Sequence, residues 1–243
     1  MKLAILSDIH ANLAALDAVL KDIGQKGVDG IVCLGDIVGY GPRPLDCMER
    51  IFAATHHIVM GNHDAFAVHL ASPTRGLRED VADGILIARN QLDSHHLEAL
   101  KTLPLTLQIE DLTLVHSSLA SPSDFLYIHE PGEALDHFAK QSTTWAFGGH
   151  THLPCAWSLT SSGLGTHPAS AEFRPAGPGQ FLVNAGSVGQ PRDNDPRACY
   201  VIFDTRAGTA RWVRVHYDVA RTIADMTALG MPDFSAARLL EGI

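Results

Sequence analysis

Nine residues with oxygen or imidazole donors stand in short clusters along the chain of 243 residues. They occur in "SDIH" (Asp8, His10), "GDIVG" (Asp36), "GNHD" (Asn62, His63, Asp64), "VHSS" (His116) and "GGHTH" (His150, His152). Carboxylate, imidazole and amide oxygen together suit cations of intermediate hardness, such as Mn²⁺, iron, Zn²⁺ or Ni²⁺. The mixture suits a pair of ions, and Asp36, alone after its apolar run, is the natural bridging ligand. A carboxylate shared by two cations is held ionised, so a buried strand can end on it. "SDIH" by itself also reads as a turn and a helix cap, and an isolated "GDIVG" says less. "GNHD" and "GGHTH" say more, because histidines clustered after glycine turns rarely serve packing. The argument rests on the whole set in this order.

Each cluster follows an apolar run of strand length: "LAILS", "GIVCLG", "HHIVMG", "LTLV" and "TWAFGG". Between the first two runs, Leu13, Leu16, Leu20 and Ile23 share one helical face behind Asn12 as N-cap. "PLDCMERIFAA", opened by Pro44, is the next helix. Asp8 to Asp36 and Asp36 to Asn62 are 28 and 26 residues apart, close to the roughly 30-residue strand–helix–strand unit. Two such units predict a parallel sheet with right-handed crossovers. Ligands of such sheets gather at the carboxyl ends of the strands, where all five clusters fall.

Further along, residues 65–104 read as a helical insertion placed to cap a site, and "LTLQIE" with "LTLVH" as a hairpin turning at Glu110–Asp111. "EPGEALDHFAKQ" and "DVARTIADMTALG" are further helices, and "CAWSLTS", "QFLVN", "ACYVIFD" and "ARWVRVHY" further strands. "SSGLGTHPASAEFRPAGPG" is rich in Gly, Pro and Ser and reads as a long surface loop. No repeat or boundary interrupts the chain, so residues 1–243 are expected to form one domain.

A formal net charge of −9 with 46% hydrophobic residues describes a globular protein with a core and argues against binding long nucleic acid. It does not oppose a small, locally positive site. Cys33, Cys47, Cys155 and Cys199 are widely spaced and read as reduced and structural. "MKLAILSDIH" meets charge too early for a signal peptide, and no run reaches the ~18–20 apolar residues of a membrane span. The cytoplasm is the expected location, with no membrane partner, and the oligomeric state is left open.

The succession "SDIHAN", "GDIVGYGP", "GNHD", "VHSS", "GGHTH" and "NAGSVGQPRD" resembles the calcineurin-like metallophosphoesterase superfamily, in particular its small prokaryotic phosphoesterases. The resemblance runs from Met1 to about Asp204. It implies an α/β fold of four layers, αββα, with two mixed β-sheets flanked by helices. It implies two divalent ions per chain, Mn²⁺ foremost, with iron, Zn²⁺, Ni²⁺ or Mg²⁺ as alternatives. Asp8, His10 and His152 would hold one ion, Asn62, His116 and His150 the other, and Asp36 would bridge. His63 would be the catalytic histidine beside the phosphate, oriented by Asp64. The implied reaction is hydrolysis of a small phosphate ester, a diester before a monoester, by hydroxide shared between the ions, with His63 assisting.

Three other readings stand beside it. A nuclease or nucleotide-polyphosphate phosphatase would use the same centre. A non-catalytic, metal-binding scaffold should lack the GNHD histidine or several ligands, and this chain keeps them all. A metallo-β-lactamase type would need His-x-His-x-Asp-His, which is absent. Outside the ligand set, Arg192 is placed to clamp a phosphate or to pair with Asp193 or Asp195. Tyr40 lines the pocket or is a turn aromatic, and Ser117 meets substrate or caps a turn. Asn62 and His63 are also expected to contact substrate. The other nine histidines lack ligand spacing and read as surface or core residues.

Overall fold

A computed structural model describes residues 1–69, 78–169 and 172–243. In chain order the strands are β1 (Lys2–Leu6), β2 (Gly30–Cys33), β3 (Thr106–Ile109), β4 (Leu112–Val115), β5 (Trp145–Gly148), β6 (Cys155–Thr160), β7 (Gly163–Pro168), β8 (Gly179–Asn184), β9 (Ala198–Asp204) and β10 (Thr209–Val215). The helices are α1 (Leu13–Ile23), α2 (Pro44–Ala54), α3 (Asn62–Ala67), α4 (Glu79–Gln91), α5 (Ser94–Lys101), α6 (Pro131–Phe138), α7 (Val219–Ala228) and α8 (Asp233–Glu241).

The strands form two mixed sheets, one of order β10-β9-β1-β2 and one of order β3-β4-β5-β8-β6-β7. β1 and β2 are parallel, with Leu6 opposite Cys33, and β4, β5 and β8 run parallel in the second sheet. Alternation along the strands decides which side chains meet. Leu3 and Ile5 of β1, Val201 and Phe203 of β9, Leu112 and Leu114 of β4, and Trp145 and Phe147 of β5 fill the space between the sheets. Ala4 and Leu6 face the other way, onto Leu13, Leu16 and Val19 of α1 and Met48 and Ile51 of α2. Behind the second sheet, Ala134 and Phe138 of α6 pack on Ala146, Trp157 and Leu182. The result is the four-layer αββα sandwich that the motifs implied.

Two expectations give way. Among the described residues "HHIVMG" contributes a single parallel bridge, Cys33 to Ile58, because the Met60 N–H turns from β2 to bond Pro104 O at 2.8 Å. The stretch expected to be a surface loop holds β7, paired antiparallel with β6 from Cys155–Pro168 to Thr160–Gly163. β7 is an edge strand with no fully buried side chain. Its backbone pairing leaves no apolar alternation for a sequence to display; residues 170 and 171 of that stretch lie outside the described residues. Helix α8 was not anticipated at all.

Of the expected helical stretch 65–104, the end of α3, α4 and α5 are described, while 70–77 lie outside the described residues. α4 sits directly on the loop after β2. A Cβ added at Gly84 would lie 2.1 Å from the Tyr40 amide nitrogen, so only glycine permits this approach. Among the described residues no helix is long and apolar enough to cross a membrane.

Candidate metal centre

The candidate ligands leave both sheets at one rim, within a few residues of the strand ends. Asp8 follows β1 and Asp36 follows β2; His116 follows β4 and His150 follows β5. The two β1 and β2 exits are zipped together by main-chain bonds, His10 N–H to Asp36 O at 2.9 Å and Ala11 N–H to Ile37 O at 2.9 Å. Asp8, His10, Asp36, His150 and His152 all have left-handed backbones, with φ between 48° and 67°. Each such residue costs about 1–3 kcal/mol and persists only where surroundings over-determine it, typically at functional sites. The His150 N–H donates to both Asp8 oxygens, at 3.2 and 3.0 Å, and so ties the two sheets together at the site.

The donor atoms converge in two groups, joined by a third made of His10, Asp36 and His63. Asp8, His10 and His152 offer one atom each, all within 4.8 Å of one another, and so do Asp36, His116 and His150. The same Asp36 Oδ2 lies 3.6 Å from His10 Nε2 and 3.4 Å from His116 Nε2, between the groups. Asn62 Oδ1 stands 3.2 Å from His116 Nε2. Three of the imidazoles are fixed from behind, His10 by Val38 O, His116 by Leu34 O and His152 by Gln190 O. Carbonyls only accept, so each Nδ1 carries a proton and each Nε2 points inward, with a lone pair to offer wherever the ring is neutral. The fourth, His150, has a buried Nε2 with no hydrogen-bond partner among the described residues.

Lone pairs and carboxylates packed together call for positive charge, and protonation follows that demand. Burial disfavours charge on His116, but Asp36 and Asp8 outweigh it and hold its pKa up at about 9. Burial and then the His116 charge push His150 down to about 3, and burial with Arg192 pushes His152 to about 4. Asp8 and Asp36 resist burial and stay well below the usual carboxylate range, held mainly by His152 and His116 respectively. The donor set therefore fits divalent cations, for which the proton on His116 is a poor substitute.

His63 opens α3 beside this group. Its ring lies 4.8 Å from that of His10 and 4.5 Å from that of Tyr40, and burial drives its pKa well below normal. Asp64 does not orient it, contrary to the expectation. The Asp64 carboxylate instead accepts the backbone N–H groups of Asp36, Ile37, Val38 and Gly61, at 2.8 to 3.2 Å. The reason is helical geometry. A residue at the third position of α3 reaches back to the free amides before the helix, whereas the next-door His63 projects from another face. Asp64 thus shapes the loop that carries Asp36. Asp36 Oδ1 in turn accepts the His63 N–H at 2.8 Å.

Arg192 pairs with neither Asp193 nor Asp195. Arg214 takes Asp193, and Arg197 with Arg214 takes Asp195. Among the described residues Arg192 has no carboxylate partner; its Nη2 donates to Tyr40 Oη at 3.2 Å and to Gln190 Oε1 at 3.1 Å. Tyr40 fills the angle between His10 and His63, with its ring 4.7 Å from that of His10. The Ser117 hydroxyl is buried with no hydrogen-bond partner among the described residues, and the residue lines a cleft with His150, Leu126 and Ile128.

The opposite wall was missed by the sequence analysis. Tyr127 stacks on His150 at 4.0 Å and on His129 at 5.3 Å, both nearly parallel. It comes from an irregular segment, and nothing in "DFLYIHE" signals that its ring would cover His150. The four cysteines are free, and burial raises the pKa of every one of them, to about 11 at Cys155 and about 12 at Cys199. Inert thiols are what their spacing suggested.

Comparison with known proteins agrees with this geometry. A family model for the calcineurin-like phosphoesterase superfamily domain matches residues 1–208. An uncharacterised protein of Methanocaldococcus jannaschii is 33% identical over 99% of this chain and 98% of its own length. The phosphodiesterase YfcE of Escherichia coli is 30% identical over 84% of this chain and 88% of its own. A crystal structure of a metallophosphoesterase from Sphaerobacter thermophilus superposes with a TM-score of 0.88 at 38% identity, covering 100% of this chain and 99% of the other. Ligand-type residues at the strand ends of a double-sheet sandwich thus go with a shared ancestry along nearly the whole chain, which belongs to the calcineurin-like phosphoesterase superfamily.

Proposed function

We propose that this chain hydrolyses phosphate esters with two divalent cations, Mn²⁺ foremost, and prefers diesters to monoesters. The observation that carries the reading is the Asp36 carboxylate, whose Oδ2 faces His10 on one side and His116 on the other within 3.6 Å. Asp8, His10 and His152 would hold one cation, Asn62, His116 and His150 the second, and Asp36 both. When bound, such a pair acidifies water and offsets charge on a phosphoryl group.

The chain's own residues supply the rest. His63 lies against His10 and Tyr40, at the edge of the ligand cluster, where its ring can give a proton to the departing oxygen. Burial alone leaves this imidazole neutral; the negative charge of a bound phosphate would favour its protonated form, and that proton would leave with the departing oxygen. Asp64, through its four amide contacts, keeps Asp36 and the His63 main chain in register. Arg192, free of carboxylates, binds a non-bridging phosphate oxygen, with Tyr40 setting its direction. Ser117 lines the cleft on the His150 side. The diester preference is supported by the similarity to phosphodiesterase YfcE.

The decisive measurement is metal analysis of the purified protein, with Mn²⁺-supplemented turnover of bis(p-nitrophenyl) phosphate and p-nitrophenyl phosphate. Two metal equivalents per chain and faster diester turnover are expected. Absence of both activities in metal-loaded protein would sink the reading, and a faster monoester would reverse the preference.

A further inference from the structure

The four imidazoles of the candidate metal centre are not held alike. His10, His116 and His152 each donate from Nδ1 to a backbone carbonyl, of Val38, Leu34 and Gln190 respectively. His150 has no such carbonyl among the described residues, and its Nε2 is buried without a partner. What lies against its ring is another ring. Tyr127 stacks on it with 4.0 Å between centroids and 19° between planes. His129 is nearly parallel to Tyr127 as well, at 5.3 Å and 16°. The segment that carries Tyr127 is fixed in place. Ile128 packs on Phe138, Trp157 and Leu182 behind the second sheet. Glu133 of α6 accepts the N–H groups of His129 and Glu130 at 2.7 and 2.9 Å. Two residues before Tyr127, Phe125 sets its ring at 71° to that of His116, 6.2 Å away.

From this arrangement we infer that Tyr127 is a positioning residue for the second cation: its ring holds the His150 imidazole in place, as backbone carbonyls hold the other three. The inference rests on the proposed two-cation reading and adds a residue that none of the ligand motifs contains. A metal-ligating histidine needs a partner that fixes its ring, and loss of that partner typically costs about 10–100-fold in metal affinity. A carbonyl does this through one hydrogen bond. A stacked aromatic does it through the attraction between two offset rings, which restricts the swing of the imidazole. Tyr127 is 45% exposed, so burial in the core does not account for its place on the ligand. The effect is one-sided. Among the described residues the tyrosine in ring contact with His10 is Tyr40, and Tyr127 has ring contacts with His129 and His150. Tyr127 therefore acts on the cation assigned to Asn62, His116 and His150 and leaves the other alone.

The test measures binding, not turnover. Mn²⁺ titration of the full chain, followed by the electron paramagnetic resonance of the free ion, gives both dissociation constants in wild type, Tyr127→Phe, Tyr127→Leu and Tyr127→Ala. In the Leu and Ala variants one of the two constants is expected to rise about tenfold, the low end for a lost outer partner. The other should stay within about twofold. Tyr127→Phe should match wild type in both, because it keeps the stacked ring. Unchanged constants in the Leu and Ala variants would overturn the inference. So would a rise shared equally by the two sites, which marks a general loss of structure. An equal rise in Tyr127→Phe would do the same, since it assigns the effect to the hydroxyl. If Tyr127→Ala fails to fold, Tyr127→Leu, which keeps apolar bulk, decides by the same constants. Wild type that binds fewer than two cations would overturn this inference and the proposed function together. A Tyr127-dependent second site in a protein inactive on all esters would defeat the proposed function alone.

Discussion

The Nε2 atoms of His10 and His152 lie 3.0 Å apart, and the Nδ1 of each ring is already committed to a backbone carbonyl. Two lone pairs so close repel unless a cation lies between them or a proton is trapped. Chelator-stripped protein should therefore unfold at a lower temperature than protein with Mn²⁺ restored. At a cation concentration 100-fold above Kd the stabilisation is about 2.7 kcal/mol. His152→Ala and Asp36→Asn should each lose most of this gain and lower metal occupancy in elemental analysis. An undiminished Mn²⁺ gain in His152→Ala would show that the cations bind elsewhere.

A ring nitrogen of His63 lies within 4.8 Å of donor atoms of His10 and Asp36, at the edge of the expected ligand set. His63→Asn should keep metal content near wild type while turnover falls by about 10²–10⁴-fold, the range for loss of a general acid. Metal content by elemental analysis and kcat on a synthetic diester are the two readouts. Normal kcat with full metal would remove His63 from the reaction.

Asp64 contributes through four amide contacts, so its loss should be felt before any metal binds. In Asp64→Asn one side-chain oxygen becomes an N–H₂ that faces main-chain N–H donors. Urea unfolding of metal-free protein should show a loss of about 1.5–3 kcal/mol. Equal metal-free stability with reduced kcat would instead favour a direct role beside His63.

Gly84 lets α4 rest on the loop that holds Tyr40. Gly84→Ala puts a methyl where the Tyr40 amide lies, and overpacking of this kind costs typically about 1–3 kcal/mol. Alanine would otherwise stabilise a helix by about 1 kcal/mol, so the sign of the change discriminates. A more stable Gly84→Ala protein would mean that α4 stands away from the loop.

His137 provides a pH dependence remote from the metal centre. It is fully buried, its Nδ1 accepts the Leu119 N–H at 3.1 Å, and burial lowers its pKa to about 4. The unfolded chain, with an ordinary histidine pKa of about 6.5, binds this proton more readily than the folded one. Its contribution is thus fully present above pH 6.5 and is lost progressively as pH falls towards 4. Between pH 8 and 5 the loss is about 2 kcal/mol. Urea unfolding of wild type and His137→Gln at both pH values should give a shallower decline in the variant. Parallel declines would place the pH dependence in other groups.

Much of the site was legible because ligand chemistry is local. Asp8, His10, Asp36, Asn62, His116, His150 and His152 each follow a short apolar run, and strand direction alone sends them to one rim. The layers were legible for a similar reason: alternation along β1 names one face for each sheet neighbour. β7 escaped notice because an edge strand held by backbone hydrogen bonds needs no apolar side chains. The contact between Asp64 and four amides escaped because motif spacing gives proximity along the chain and not the direction in which a side chain turns.

The sequence by itself determined which atoms can bind cations and in what order the strands deliver them, since residue type and strand period are properties of short segments. Only the tertiary structure decided that Arg192 turns away from Asp193 and Asp195 towards Tyr40, that Tyr127 covers His150, and that α8 brings Ser235 and Leu239 to the cleft beside His10 and Tyr40. Those outcomes depend on competition among partners distant in the chain. Arg214 and Arg197 claim the aspartates first, and no window of sequence contains that contest.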